Sequence, residues 1–162
     1  PEPWKAEVEL FLINKSGAVV NKHFLKVDLD RYSVFRTPAT EIFPEIADGQ
    51  YEGFILANSQ EVRAARRTTL NPAKFSPAHD LKVFANISNN TLKLDVTANT
   101  YIHELSALPE IFALGTQVDK QIVSLLPGET HTFTITGSLP DLTAMVERAE
   151  DLLWSHNRVV NQ

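Results

Sequence analysis

The sequence predicts an all-β protein built from two tandem β-sandwiches and a C-terminal amphipathic helix. Apolar and polar residues alternate in short runs over the first 137 residues, and turn signals recur about every 8–12 residues, as expected of sandwiches. After residue 137 the apolar period changes from two to about 3.6, which predicts a helix. The predicted domains are therefore residues 1–74 and 75–137, followed by a helix and tail at 138–162.

The distribution of charge also places a boundary between the two sandwiches. Residues 1–75 carry ten basic and ten acidic side chains, whereas residues 76–162 carry five and ten, so the net charge of −5 lies in the second part. Pro72 and Pro77 interrupt the alternation near this step and favour a short, stiff connector. The acidic second part argues against a nucleic-acid partner, which requires a basic face.

The first predicted sandwich consists of short strands joined by turns. Lys5–Ile13 alternates like a half-buried strand, and Asn14–Gly17 contains residues that accept left-handed backbone angles, so residues 18–29 are expected to return as a second strand. The remaining predicted strands are Arg31–Arg36 and a hairpin of Tyr51–Ala57 with Glu61–Leu70, joined at Asn58 and Ser59.

The second predicted sandwich begins after the connector. Leu81–Ile87 and Leu92–Ala98 alternate on either side of the polar turn Ser88–Thr91, which gives the clearest hairpin in the chain. Further strands are predicted at Tyr101–Leu105, Ile111–Leu114 and Gln121–Leu125.

The most regular stretch of the second unit is Ser124–Gly137, SLLPGETHTFTITG. His131, Phe133 and Ile135 alternate with four threonines, which is typical of a half-buried strand rich in β-branched residues. Pro127 and Gly128 form a tight turn just before it. The stretch therefore predicts a hairpin at the edge of a sandwich.

The C-terminal segment has the pattern of an amphipathic helix. Ser138 is a suitable N-cap, Pro140 fits the first turn, and Asp141 complements the positive helix end. The residues of the apolar stripe are Leu142, Met145, Val146, Ala149, Leu152 and Leu153. A helix of about 15 residues is marginal alone, so this stripe is expected to pack on a sandwich face or on a missing domain.

Recognisable catalytic and metal-binding motifs are absent from the sequence. The five histidines fall in different predicted elements, and the scattered glycines form no phosphate-binding loop, so we expect neither a metal nor a cofactor. His103 and Glu104 are adjacent, but neighbours on a strand point to opposite faces, so the pair is interpreted as structural. Two further groups are interpreted as solvated loop and strand residues: the acidic Glu41, Glu45 and Asp48, and the basic Arg63, Arg66 and Arg67.

The aromatic residues provide the remaining candidate binding groups. Their rings could stack on sugars, although in small sandwiches such rings more often fill the core. The candidates for carbohydrate contact are Trp4, Tyr51 and Trp154.

The sequence also bears on cellular location. It contains no cysteine, which fits a reducing compartment, and no apolar run approaches the roughly 18 residues of a membrane span. The N-terminus lacks the basic-then-apolar pattern of a secretion signal, so we expect a cytoplasmic protein. Because the chain begins with Pro1 in place of an initiator methionine, we also expect it to be a fragment of a longer protein.

The order of these motifs resembles the C-terminal immunoglobulin-like domains of β-mannosidases of glycoside hydrolase family two. PEPWKAEVELFLIN is similar to the first strands of the domain that follows the catalytic barrel, and VRAARRTTLNPAKF to its end, where Pro72 and Lys74 lead into a final small sandwich. DLKVFANISNNTLKLDVTANTYIHEL and SLLPGETHTFTITG are similar to that last sandwich. The resemblance covers about residues 1–137, and it identifies no match for the C-terminal helix.

The resemblance implies two immunoglobulin-like sandwiches that serve as non-catalytic accessory domains of a retaining glycosidase acting on terminal β-mannosides. The two catalytic glutamates of the family lie in the upstream barrel, so none is assigned here. The implied partner is that barrel on the same polypeptide, with a homo-oligomer through the C-terminal helix as a further expectation. The alternative is an independent carbohydrate-binding or adhesion module, which a solvent-facing row of aromatic residues would favour.

Overall fold

A computed structural model describes residues 3–47, 51, 53–59, 63–67 and 78–159 of the chain. The chain divides into two compact units, Pro1–Phe75 and Ser76–Gln162. Both units consist mainly of antiparallel strands, so the predicted all-β fold class is confirmed. The predicted connector at residues 71–77 lies outside the described residues.

The first unit contains an antiparallel sheet with the strand order β2-β1-β3-β4. Its strands are β1 (Trp4–Asn14), β2 (Val19–Leu29), β3 (Gly53–Asn58) and β4 (Arg63–Arg67). The β1–β2 and β3–β4 hairpins predicted from the sequence are confirmed. Because β3 pairs with β1 only from Glu9 to Asn14, the first half of β1 has no neighbouring strand on that side among the described residues.

A short helical segment covers one face of this sheet. It consists of α1 (Ala39–Ile42) and a 3-10 turn at Pro44–Ile46, where the sequence suggests an irregular loop. Phe43, between the two, is buried against Leu10 and Leu12 of β1. The buried core of this unit therefore lies between the centre of β1 and the helical segment.

The predicted strand at Arg31–Arg36 is wrong. The carbonyl oxygen of Asp30 accepts hydrogen bonds from the backbone N–H (3.2 Å) and the hydroxyl (2.6 Å) of Ser33, and Tyr32 has a left-handed φ of 61°. This turn ends the pairing of β2 with β1. The alternating residues that follow it therefore pair with no strand among the described residues. The described part of the first unit therefore forms one sheet rather than the two sheets of a sandwich.

The second unit is a sandwich of two antiparallel sheets, ordered β5-β6-β10-β8 and β11-β7-β9. The strands are β5 (Leu81–Ser88), β6 (Thr91–Ala98), β7 (Ile102–Ala107), β8 (Gln117–Val118), β9 (Val123–Leu125), β10 (Thr130–Thr136) and β11 (Leu153–Trp154). Both sheets contribute to one buried core, for example Leu94 and Phe133 from the first and Ile102 and Leu125 from the second. The two faces are held together by these apolar contacts.

The predicted β5–β6 hairpin is confirmed over its full length. The strands pair from Leu81 with Ala98 to Ser88 with Thr91. Asn89 and Asn90 have φ values of 51° and 58°. Two consecutive left-handed residues match the two-residue type I′ turn that best suits the twist of a hairpin.

The turn at Pro127 and Gly128 has a different role from the predicted one. The strands on either side, β9 and β10, belong to different sheets, so the turn carries the chain across the sandwich instead of closing a hairpin. Gly128 has a φ of 84°, and its N–H donates to the carbonyl oxygen of Ala98 at 2.7 Å. Strand β10 then lies between β6 and β8, an interior position rather than the predicted edge, with Phe133 and Ile135 buried as the alternation predicts.

The strand predicted at Ile111–Leu114 is also wrong. Pro109–Ile111 forms a 3-10 turn, and the chain turns again at Gly115, which has a φ of 87°. Proline in the first position of a helical turn has a preset φ and no N–H to satisfy, which favours this conformation over a strand.

The C-terminal segment folds onto the second unit. Ser138 caps α2 (Leu139–Val146), and its hydroxyl oxygen accepts a hydrogen bond from the backbone N–H of Asp141 at 3.4 Å. The apolar residues Leu142, Met145, Leu152 and Leu153 all lie in the core of this unit. A sandwich face, rather than a missing domain, therefore covers the apolar stripe.

The single long helix predicted for this segment is wrong. After α2 the chain forms a 3-10 turn at Ala149–Leu152, then β11, then α3 (His156–Val159). Leu153 pairs with Ala107 of β7, and the N–H of Leu108 donates to the carbonyl oxygen of Leu152 at 2.8 Å. The segment is extended at this point because it completes the second sheet.

Candidate functional site

The three predicted carbohydrate contacts do not meet in one place. Trp4 is half-buried at the start of β1, and Tyr51 packs against the core of the first unit. Burial, and then the carboxylate of Glu45, raise the pKa of Tyr51. Trp154 belongs to β11 of the second unit and is 39% exposed. Trp154 lines a cavity of about 240 Å³ and Trp4 a larger one of about 460 Å³, so we describe the surroundings of Trp4 first.

Trp4 lines a groove of about 460 Å³ in the first unit. The groove follows the first half of β1, where β3 no longer pairs with it, and it is bounded by β2 and by the end of β3. Its lining residues are Trp4, Lys5, Ala6, Glu7, Glu9, Phe24, Asn58 and Ser59. The register places Glu9 between Phe24 of β2 and Asn58 of β3.

Glu9 is the best-defined polar group in this groove. Its carboxylate lies 2.9 Å from Nζ of Lys22 through Oε1, and it accepts a hydrogen bond of 3.3 Å from Nδ2 of Asn58 through Oε2. These two contacts, first Lys22 and then Asn58, lower the pKa of Glu9. The ammonium of Lys22 also lies 4.6 Å from the centre of the Phe24 ring. The Glu9 carboxylate therefore bridges a cation on β2 and an amide donor on β3.

The groove combines aromatic faces with polar groups that bind hydroxyls. A carboxylate accepts hydrogen bonds, an amide both donates and accepts them, and the rings of Trp4 and Phe24 offer apolar surface. A polyol such as a sugar has the complementary combination of hydroxyls and C–H faces. Sequence reasoning selected Trp4 but missed Glu9, Phe24 and Asn58, because three different strands contribute them.

A second cluster, the His103 corner (Tyr101, His103, Glu104, His156 and Asn157), lies in the second unit. Sequence reasoning placed His103 and Glu104 on opposite faces, and this is wrong, because Nε2 of His103 lies 3.7 Å from Oε1 of Glu104. Glu104 has a left-handed φ of 53°, and the register of β7 with β9 shifts between Ile102 and Leu105. This bulge turns the Glu104 side chain toward its neighbour.

The His103 corner is packed together by rings and hydrogen bonds. The hydroxyl of Tyr101 and Nδ1 of His103 share a hydrogen bond of 3.1 Å, and the rings of His103 and His156 are 5.7 Å apart, edge to face. The side chain of Asn157 accepts from the N–H of His103 at 2.9 Å and donates to the carbonyl oxygen of Tyr101 at 2.7 Å. Asn157 thereby fixes α3 to the bulged strand.

Glu104, His103 and Tyr101 form a carboxylate–imidazole–hydroxyl row, which is the order of groups that activates a nucleophile. In this corner the terminal hydroxyl belongs to a residue with 0% exposure, so a substrate could not reach it. In a neighbouring pair, Nδ1 of His79 lies 2.7 Å from Oγ of Ser155, which is fully buried, whereas His79 itself is half-buried. Burial, followed by Arg158, lowers the pKa of His79. We interpret the His103 corner as structural.

The other residues considered from the sequence also have local roles. Glu41 is exposed, and Glu45 accepts a hydrogen bond of 2.7 Å from Nδ2 of Asn21. Asp48 lies outside the described residues, as do the side chains of Arg66 and Arg67. Nε of Arg63 donates to Oδ1 of Asn58 at 3.0 Å. Within the described ranges, no three histidine, aspartate or glutamate side chains are grouped as a metal site would require.

Comparison of the sequence with protein-family models and with curated proteins finds no match. None of the helices in the described residues has the length and apolar character needed to cross a bilayer.

Proposed function

We propose that this chain is a non-catalytic accessory region of a β-mannosidase-like glycoside hydrolase that acts on terminal β-mannosides. The observation that carries the proposal is the structural role of SLLPGETHTFTITG, the motif at the centre of the resemblance. Leu125 and Leu126 are buried, Gly128 turns the chain between sheets, and Phe133 and Ile135 fill the core. The motif is therefore a fold-determining part of a small sandwich, as an accessory domain requires.

In this proposal the chain supports chemistry that takes place elsewhere on the polypeptide. Retaining glycosidases use one carboxylic acid as acid/base and a second carboxylate as nucleophile, about 5–5.5 Å apart across the scissile bond. These groups belong to a barrel upstream of residue 1, against which the accessory units pack. Their role is to stabilise that barrel and shape the rim of its cleft.

The proposal is tested by measuring hydrolysis of a chromogenic β-mannoside at matched molarity. Three proteins are compared: the longer polypeptide that contains this chain, the same polypeptide lacking these 162 residues, and the chain alone. We expect turnover by the long form, lower thermal stability in the truncated form, and none by the chain alone. Turnover by the isolated chain, or a long form inactive on β-mannosides, would contradict the proposal.

The groove along β1 favours a second candidate function, carbohydrate binding. Its support is the combination of Trp4, Phe24, Glu9 and Asn58 in one groove of about 460 Å³, within the size range of small-ligand sites. Calorimetric titration with a manno-oligosaccharide tests it. Trp4→Ala is expected to weaken binding at least tenfold, while Trp154→Ala, the same change in the other unit, leaves it intact. Equal binding by both variants, or no heat from the wild type, would rule out this groove.

A further inference from the structure

The first half of β1, Trp4–Val8, presents an open sheet edge on one side. Strand β2 pairs with it on the other side, but β3 joins only from Glu9, and no other described strand takes its place. The burial of β1 changes at the same point, since Leu10–Ile13 are buried whereas Trp4–Val8 are half-buried or exposed. Such an edge presents backbone N–H and C=O groups that can pair with an added strand.

The side chains of this open edge alternate between two different faces. Trp4, Ala6 and Val8 are half-buried, and Val8 packs against the core of the first unit. Lys5 and Glu7 are exposed on the opposite face. A strand that pairs here must therefore bring apolar residues to the first face and charges complementary to Lys5 and Glu7 to the second.

The open edge is complementary to a second copy of itself. When two copies pair antiparallel about a two-fold axis through Ala6, Lys5 of each copy lies opposite Glu7 of the other, and Trp4 lies opposite Val8. Directly opposite residues point to the same face, with Cβ atoms about 4.5–5.5 Å apart. The pairing therefore forms two ion pairs on the exposed face and two contacts of tryptophan with valine on the apolar face.

Strand β2 extends this charge complementarity across the sheet. The register places Asp28 beside Lys5, with 2.6 Å between Oδ2 and Nζ, and Lys26 beside Glu7. Across the paired copies, each exposed row contains Asp28 and Lys5 of one copy, then Glu7 and Lys26 of the other, so the sign alternates at every step. The carboxylate of Glu7 has no hydrogen bond or ion pair with another described residue, so it is available to the second copy.

The nearest alternative registers of the same edge oppose like charges. Because side chains alternate, the apolar faces of the two copies coincide only when the pairing shifts in steps that keep Trp4, Ala6 and Val8 on one face. The neighbouring axes that meet this condition pass through Lys5 or Glu7. They place two ammonium groups or two carboxylates directly opposite each other, which is destabilising. Charge therefore selects the axis at Ala6.

We propose that the chain forms a two-fold symmetric dimer by antiparallel pairing of Trp4–Val8, with the axis at Ala6. The ladder stays short, because Pro3 has no N–H to donate and Asn58 of β3 occupies the position beside Glu9. We expect a weak dimer, with a dissociation constant between about 10 μM and 1 mM. The second copy fills the groove along β1, so this groove is open to a carbohydrate only in the monomer. The dimer goes beyond the proposed function, because it needs no upstream domain.

Charge reversal tests the ion pairs of the dimer. In Lys5→Glu positions 5 and 7 are both acidic, and in Glu7→Lys both are basic, so each variant alone opposes like charges. Sedimentation velocity over a range of concentrations should show dissociation constants at least about tenfold above that of the wild type for each variant. An equimolar mixture should dimerise with nearly the wild-type constant, because opposite charges face each other again. Lys15→Glu, in the exposed turn between β1 and β2, is the matched control and should behave like the wild type.

Disulfide cross-linking tests the register, because the chain has no native cysteine. Ala6 lies on the axis, so its Cα atoms in the two copies should be about 4.5–5.5 Å apart, within the range of a disulfide. The Cα atoms of Val8 in the two copies should be about 14 Å apart, which is too far. We expect Ala6→Cys to form a covalent dimer under mild oxidation, and Val8→Cys, on the same face, to remain monomeric.

Three results would overturn the dimer. They are a wild-type chain that sediments as a monomer up to about 1 mM, equal cross-linking of Ala6→Cys and Val8→Cys, and a mixture of the two charge variants that dimerises no more tightly than either alone. Each measurement uses the chain by itself, so these results leave the test of the proposed function unchanged.

Discussion

Asn157 provides the sharpest test of how the second unit is held together. It is 1% exposed, and its amide binds two backbone groups at the start of β7, accepting from the N–H of His103 at 2.9 Å and donating to the carbonyl oxygen of Tyr101, the residue before the strand, at 2.7 Å. In Asn157→Leu a side chain of similar size fills the site but makes neither of these two hydrogen bonds. At about 1–3 kcal/mol for each, the free energy of unfolding should fall by about 2–6 kcal/mol.

Urea unfolding measures this loss in the second unit alone. The chain has two tryptophans, Trp4 in the first unit and Trp154 in the second, so fluorescence in a Trp4→Phe background reports on Trp154. With an m-value of about 1.5 kcal/mol per molar urea, the midpoint should fall by about 1–4 M. Asn99→Ala, which removes an exposed amide bonded to Asp80, should change the free energy of unfolding by no more than about 0.5 kcal/mol.

Asn157→Asp keeps the prediction testable if the leucine variant does not fold. The aspartate retains an acceptor for the N–H of His103 but, when ionised, places a second oxygen against the carbonyl of Tyr101. Burial and this contact should raise its folded pKa above about 3.9, so its destabilisation relative to wild type should grow as the pH rises from 4 to 7. A loss below about 1 kcal/mol in Asn157→Leu, or a pH-independent loss in Asn157→Asp, would refute the reasoning.

Three further predictions concern local backbone and charge. Gly53→Ala should destabilise the first unit by about 1–3 kcal/mol or abolish its folding, because a Cβ there would overlap the carbonyl oxygen of Ile13; circular dichroism during heating would show this. A Cβ added at Gly128 would have no atom within 4 Å, so Gly128→Ala should introduce only the strain of a left-handed alanine. In urea unfolding, the free energy of unfolding of the second unit should fall by about 1–2 kcal/mol, and a fall of more than about 3 kcal/mol would contradict this origin. Burial lowers the folded pKa values of His79 and His131 below 6.5, so the unfolded state binds more protons than the folded state near that pH. The free energy of unfolding of the second unit should therefore decrease as the pH falls below about 6.5. If a double variant, His79→Gln with His131→Gln, loses stability with falling pH as steeply as the wild type, these two groups are not the cause.

The fold was predictable where neighbouring residues determine the structure. In the β5–β6 hairpin the alternation and the Asn89–Asn90 turn specify the same partner, so the local signal was sufficient. Arg31–Arg36 alternates as well, but the turn at Asp30 and Tyr32 separates it from the ladder. The turn at Pro127–Gly128 was recognised, but its sequence does not encode whether the flanking strands share a sheet.

The candidate sites depended on long-range pairing even more strongly. Trp4 stood out by residue type, whereas Glu9 joins Phe24 and Asn58 only through the register of three strands. The proximity of His103 and Glu104 depends on a bulge in β7. The local sequence there predicts an ordinary strand. The left-handed φ of Glu104 could not be predicted from its residue type, because glycine and asparagine, and not glutamate, indicate that conformation.

The position of β11 has a consequence for the order in which the second unit folds during synthesis. Strand β7 emerges from the ribosome about 50 residues before its partner, since Ala107 pairs with Leu153, and Asn157 follows later still. Until residue 157 is free of the exit tunnel, the sheet lacks a strand, and Leu152 and Leu153 cannot enter the core. The first unit, whose β1–β2 hairpin forms from adjacent residues, can begin folding while the second waits, so ribosome-bound intermediates should hold β7 with an unprotected edge.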